Sequence, residues 1–197
     1  MNKGMRSIII LAGLMAPAAA VAQSAANTSL PVRAESRVWF DGTSTAKSFS
    51  CKATKLTGTV EVAAGQAAAA TLTGQKSVKD VDLTIPVASL ACGNGTMDDH
   101  MRKALKADAN ANIKFTLNSY ELNGTSAKLN GKLSIAGKEN PITLNGTVSQ
   151  DASGQLRLKG SKQLNMTEFG VKPPSLMMGA MKVGEAVTVH YDMVVKP

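Results

Sequence analysis

The sequence predicts an all-β fold, an extended antiparallel eight-stranded barrel with one short α-helix near its mouth. Three observations carry that reading. Apolar and polar residues alternate through many short runs separated by Gly, Asn and Pro, the period-two pattern of half-buried strands. Only one stretch, opening at Thr96, has the period of a helix. Gly58, Gly131, Gly146 and Gly160 stand on the apolar parity of their strands, where they permit the bend of a closed sheet and leave space inside it. A sandwich whose glycines mark bulges is the alternative left open.

The chain has 197 residues. MNKGMR is a basic start, SIIILAGLMAPAAAVA an apolar run, and Ala20-Val21-Ala22 fits an A-x-A cleavage site, so residues 1–22 read as a secretory signal peptide. A periplasmic or secreted protein is expected. Its removal takes Lys3 and Arg6 with it and lowers the formal charge from +8 to +6. That charge is compatible with contact at an anionic membrane surface. It is too dispersed for a nucleic-acid site, and aromatics at 4% are too few for base stacking. Cys51 and Cys92, an even pair in an exported chain, are expected to form one disulfide; closing a loop of about 42 residues stabilises by ~4 kcal/mol.

Residues 23–34 are small, polar and aperiodic and read as a flexible lead, leaving one domain over 35–197. Val38 and Phe40, then Phe49 and Cys51, then Val60 and Val62 mark the first strands. GQAAAATLTGQ reads as a loop, and Val81, Leu83 and Ile85 alternate up to Pro86. In TMDDHMRKAL, Thr96 and Asp99 fit a capping box, and Met97, Met101, Ala104 and Leu105 make one apolar stripe. Ile113, Phe115 and Leu117 then switch to strand period. Asn123-Gly124 predicts a hairpin, and Gly137 to Pro141 the next turn. Leu156, Leu158 and Gly160 follow. Val187, Val189, Tyr191, Met193 and Val195 share one face of the last strand.

Three segments resemble the YceI-like family of lipocalin-like, polyisoprenoid-binding periplasmic proteins. They are DDHMRKALKADANANIKF, the hairpin LNGKLSIAGKENPITL, and MTEFGV ahead of the closing strand. The resemblance spans roughly Glu35 to Lys196. It implies a lipocalin-like barrel holding a long-chain lipid or isoprenoid (polyprenyl, quinone-like or fatty-acyl), without catalysis. Met166 stands where the family often has a basic residue, and the cysteine pair is not a general family feature.

Residues of inward parity are then the expected apolar cavity: Phe40, Phe49, Leu83, Ile85, Ile113, Phe115, Leu133, Ile135, Leu144, Gly146, Val187 and Val189. Met101 and Leu105 of the helix and Phe169, Met177 and Met181 of the Met-rich loop are expected to join them. Lys103, Lys106 and Lys172 are candidate head-group contacts, with a plain solvated face as the alternative. The same wall could instead pack as a dry core. The methionines could gate the cavity, only pack, or, as soft ligands, bind copper in a stress-response or metal-handling protein. No resident metal or cofactor is expected. Two isolated histidines do not make a zinc site, and no G-x-S-x-G elbow, free catalytic cysteine or phosphate-cradling loop occurs, so no enzyme is expected. Whether two chains pair as a homodimer is left open.

Overall fold

The computed structural model describes residues 26–195, and the expected signal peptide, residues 1–22, lies outside them. The elements are β1 (Thr28–Pro31), β2 (Arg37–Ser44), β3 (Ser48–Ala53), β4 (Thr57–Val62), β5 (Val78–Pro86), β6 (Leu90–Ala91), α1 (Gly95–Ala104), β7 (Asn112–Asn123), β8 (Ser126–Ile135), β9 (Lys138–Gln150), β10 (Leu156–Asn165), β11 (Ser175–Leu176) and β12 (Met181–Val195). They form one antiparallel sheet in the order β1-β4-β5-β7-β8-β9-β10-β12-β2-β3-β6, with β11 paired to β12 at the side. The sheet curls until its ends are tied. Val32 bridges Val195, the Arg33 N–H donates to the Val194 carbonyl at 2.9 Å, and β6, which continues β5, pairs with β3. Among the described residues, the fold is the expected lipocalin-like antiparallel barrel with one α-helix.

Five details differ from expectation. The sheet has 12 strands rather than eight, the extra ones being mostly short pieces that alternation does not mark. Thr28–Pro31, expected as part of a flexible lead, is β1, held by a register with β4 that runs from Thr28–Val62 to Pro31–Thr59. Part of the alanine-rich loop is a 3-10 turn, Ala68–Thr73, anchored by a hydrogen bond between the buried hydroxyls of Thr71 and Ser77. The cap of α1 is Asn94, not Thr96. Its extended backbone lets Oδ1 accept from the Met97 N–H at 3.1 Å, while Asp98 Oδ1 accepts from the Cys92 N–H at 2.7 Å. Finally, β8 and β9 are joined by Ala136 and Gly137 alone, both left-handed (φ 50° and 83°), so Pro141 lies inside β9.

The densest apolar cluster sits at the helix-bearing end. Phe115, Leu117, Ile142, Leu164, Phe169 and Val171 meet there, with Ala104 and Leu105 of α1 packed against them. MTEFGV explains how. Met166–Phe169 is a 3-10 turn, and Gly170 is left-handed (φ 66°), so the chain doubles back and both Phe169 and Val171 enter the barrel.

Candidate ligand cavity

Alternation decides which side chains face inward. Along β10, Leu156, Leu158, Gly160, Lys162 and Leu164 are half-buried or buried, whereas Arg157, Lys159, Ser161 and Gln163 are exposed. Outside, the Arg157 guanidinium grips Asp192 bidentately (2.5 and 2.6 Å) and holds its carboxyl below the usual carboxylate range. His190 stacks on Trp39 with ring centroids 5.0 Å apart and lies 3.0 Å from Asp41. Inside, the inward residues enclose a cavity of about 670 Å³.

The structure brings most of the expected residues onto that wall. Phe40 and Phe49 come from β2 and β3, Leu83 and Ile85 from β5, Ile113 and Phe115 from β7. Leu133 and Ile135 of β8, Leu144 of β9, and Met181, Val187 and Val189 of β12 continue it. Met101 and Leu105 of α1 and Phe169 of the 3-10 turn close one end. The helix stripe of Met97, Met101, Ala104 and Leu105 faces the cavity as a unit, and His100 lines it too. Among the Met-rich loop residues, Met181 is on the wall and Met178 is fully exposed, so these two do not share a surface. The side chain of Met177 lies outside those described.

One expectation fails. Gly146 does not open onto free space: a Cβ there would lie 2.5 Å from the Lys159 carbonyl oxygen and 2.9 Å from Leu158 Cδ1. The inward glycines are sites of close cross-strand approach, not vacancies. The ring of Phe49 covers Gly42, that of Phe115 covers Gly131, and that of Tyr191 covers Gly160. Lys103, Lys106 and Lys172 are exposed and are not part of the wall; the lysines that are part of it are Lys47 and Lys162. Helix period aims Lys103 away from the Met97–Met101 stripe, and Lys106 follows the helix in a left-handed turn (φ 54°).

Sequence reasoning missed Lys162, Thr71 and Tyr120 as wall residues. Lys162 was findable by carrying the β10 alternation past Gly160. Thr71 was not, because it needs the 3-10 turn to reach the barrel, where its hydroxyl lies 3.5 Å from the Tyr120 hydroxyl. Tyr191 crosses Gly160 and donates to the Asn145 carbonyl at 2.7 Å; burial pushes its phenol up to about 12. Cys51 and Cys92 form the expected disulfide and also border the cavity.

Several solved structures share this architecture. Burkholderia cenocepacia BcnA superposes with a TM-score of 0.68 at 20% identity, over 82% of this chain and 96% of that one. A polyisoprenoid binding domain from Saccharophagus degradans, implicated in plant cell wall breakdown, gives 0.64 at 11% identity over 87% and 99%. A Campylobacter jejuni YceI protein gives 0.58 at 16% identity over 75% and 84%. No curated protein sequence matches the chain. A family model described as the YceI-like domain matches residues 32–195, nearly the whole barrel, and this chain therefore belongs to the YceI-like domain family.

Proposed function

We propose that this protein is an exported carrier that sequesters one long-chain apolar molecule (polyisoprenoid, quinone-like or fatty-acyl) inside its barrel, and that it is not an enzyme. The observation that carries the reading is the cavity: about 670 Å³, walled mostly by Leu, Ile, Val, Phe and Met. Ligand pockets fall at about 300–1,000 Å³. Burial at ~0.8 kcal/mol per methylene gives a sixteen-carbon chain about 12 kcal/mol gross, enough to offset much of the ~4–15 kcal/mol lost on association. The polyisoprenoid binding domain of Saccharophagus degradans supports the same ligand class. Export rests on the signal-peptide pattern of residues 1–22.

The test is mass spectrometry of an organic extract of the purified protein, with metal analysis of the same sample. A stoichiometric long-chain lipid is the expected result. Stoichiometric copper with no lipid would replace the carrier by a metal handler using the Met-rich loop, with Met97, His100 and Met101 as further candidates.

A further inference from the structure

The cavity wall is not only apolar; what charge it has is of one sign. Lys47 and Lys162 line it, and among the described residues no Asp or Glu does. Lys47 is exposed, in the turn between β2 and β3. Lys162 is half-buried in the inward row of β10, between Gly160 and Leu164 and opposite the inward Val189. It makes no ion pair among the described residues. A half-buried ammonium with no ion-pair partner is a place where an anion can be met.

The sheet opens just before this residue. The β9–β10 ladder runs from Leu156–Gln150 to Gly160–Gly146 and stops there, although β10 pairs with β12 as far as Asn165–Ala186 and β9 pairs with β8 from Lys138 onward. Two features stand beside the split. The Tyr191 hydroxyl donates to the Asn145 carbonyl, next to the last ladder pair. Pro141, further along β9, has no N–H to offer. Beyond the split lies a slit of about 440 Å³ bordered by Asn140, Thr143, Asn165 and Glu168. Lys162, Ile142, Leu164 and Phe169 line both slit and cavity. The carboxylate of Glu168 is exposed and accepts from Asn165 Nδ2 at 3.2 Å.

We propose that the β9–β10 slit is a side door and Lys162 its anion subsite: the ligand's tail lies in the barrel, and a carboxylate or phosphate headgroup rests in the slit against the Lys162 ammonium. This rests on the carrier reading and adds to it the charge of the ligand and the side from which its head emerges. A charged hydrogen bond in this half-buried place favours an anion over a neutral head by about tenfold.

The test uses delipidated protein and three probes of one chain length: hexadecanol, hexadecanoate and hexadecyl phosphate, each competed against a fluorescent long-chain alcohol. At least one anion is expected to bind about tenfold tighter than hexadecanol, and which one does so separates a carboxylate head from a phosphate. Lys162→Met should erase the preference while hexadecanol affinity stays within about twofold; Lys162→Arg and Lys47→Met should keep it. An anion preference unchanged in Lys162→Met, or lost in Lys47→Met instead, overturns the subsite. Hexadecanol bound without any anion preference also overturns it and leaves the carrier standing, whereas no binding of any probe overturns both. Should the methionine variant not fold, the ¹⁵N signal of Lys162 Nζ, assigned with Lys162→Arg, decides the same question. It should shift with the preferred anion and not with hexadecanol, and a signal that ignores both anions sinks the proposal.

Discussion

Tyr191 shows how much one side chain does in this barrel. Its ring fills the space over Gly160, and its hydroxyl satisfies the backbone carbonyl at which β9 and β10 separate. Tyr191→Phe keeps the ring and removes that hydrogen bond, so a loss of about 1 kcal/mol in urea unfolding is expected. The pH dependence follows from the raised phenol. An unfolded tyrosine ionises near ~10, whereas folded Tyr191 is pushed up to about 12 by burial. Its contribution is therefore complete below the unfolded value and falls away as pH rises from there through the folded value. Wild type should lose stability over that alkaline window more steeply than Tyr191→Phe, as thermal melts across it will read. The covered glycines carry a related lesson. Gly146→Leu, which looks from the sequence like a way to fill a cavity, would drive a side chain into the backbone of β10.

Among the elements, α1 matters most, because it is short and has no fully buried residue of its own. Its position depends on what precedes it. The Cys51–Cys92 bridge, spanning 41 positions, ties the segment entering the helix to β3, and Cys92 Sγ lies 3.8 Å from Met101 Sδ. Asn94 and Asp98 then fix the first turn. Replacing both cysteines with serine should cost about 4 kcal/mol on the chain-entropy model, measured as the change in unfolding free energy. The same loss should appear in wild type under reductant and be absent when reductant is added to the double variant.

At the scale of the molecule the decisive property is that the inward rows do not fill the space between them. A cavity of about 670 Å³ is a defect in stability terms, since apolar walls there lack contacts that a packed core would supply. Leu144, half-buried on the β9 wall, offers a direct probe. Leu144→Trp should occupy part of the hollow and lower uptake of a fluorescent long-chain alcohol by more than about tenfold; because Leu144 also packs against the core cluster, the added ring should cost about 1–3 kcal/mol of stability and leave the protein folded. Uptake unchanged in a folded variant would mean that the ligand lies elsewhere.

By itself the sequence determined the all-β class, the single helix and its apolar stripe, and which parity of each strand faces inward, because period-two and period-3.6 patterns are local consequences of backbone geometry. It also pointed to the bridge, through an even cysteine pair in a chain read as exported. Tertiary structure alone decided where ladders begin and stop. The pairing of Thr28–Pro31 with β4 depends on a partner distant in sequence, and so does the entry of Thr71 into the cavity. The same holds for the covering of Gly131 and Gly160 by aromatic rings and for the parting of β9 from β10 beside Lys162. Alternation says that a residue points inward. Whether it meets a ring, a hollow or an open slit is set by the strand beside it, and that neighbour is chosen by the closure of the sheet.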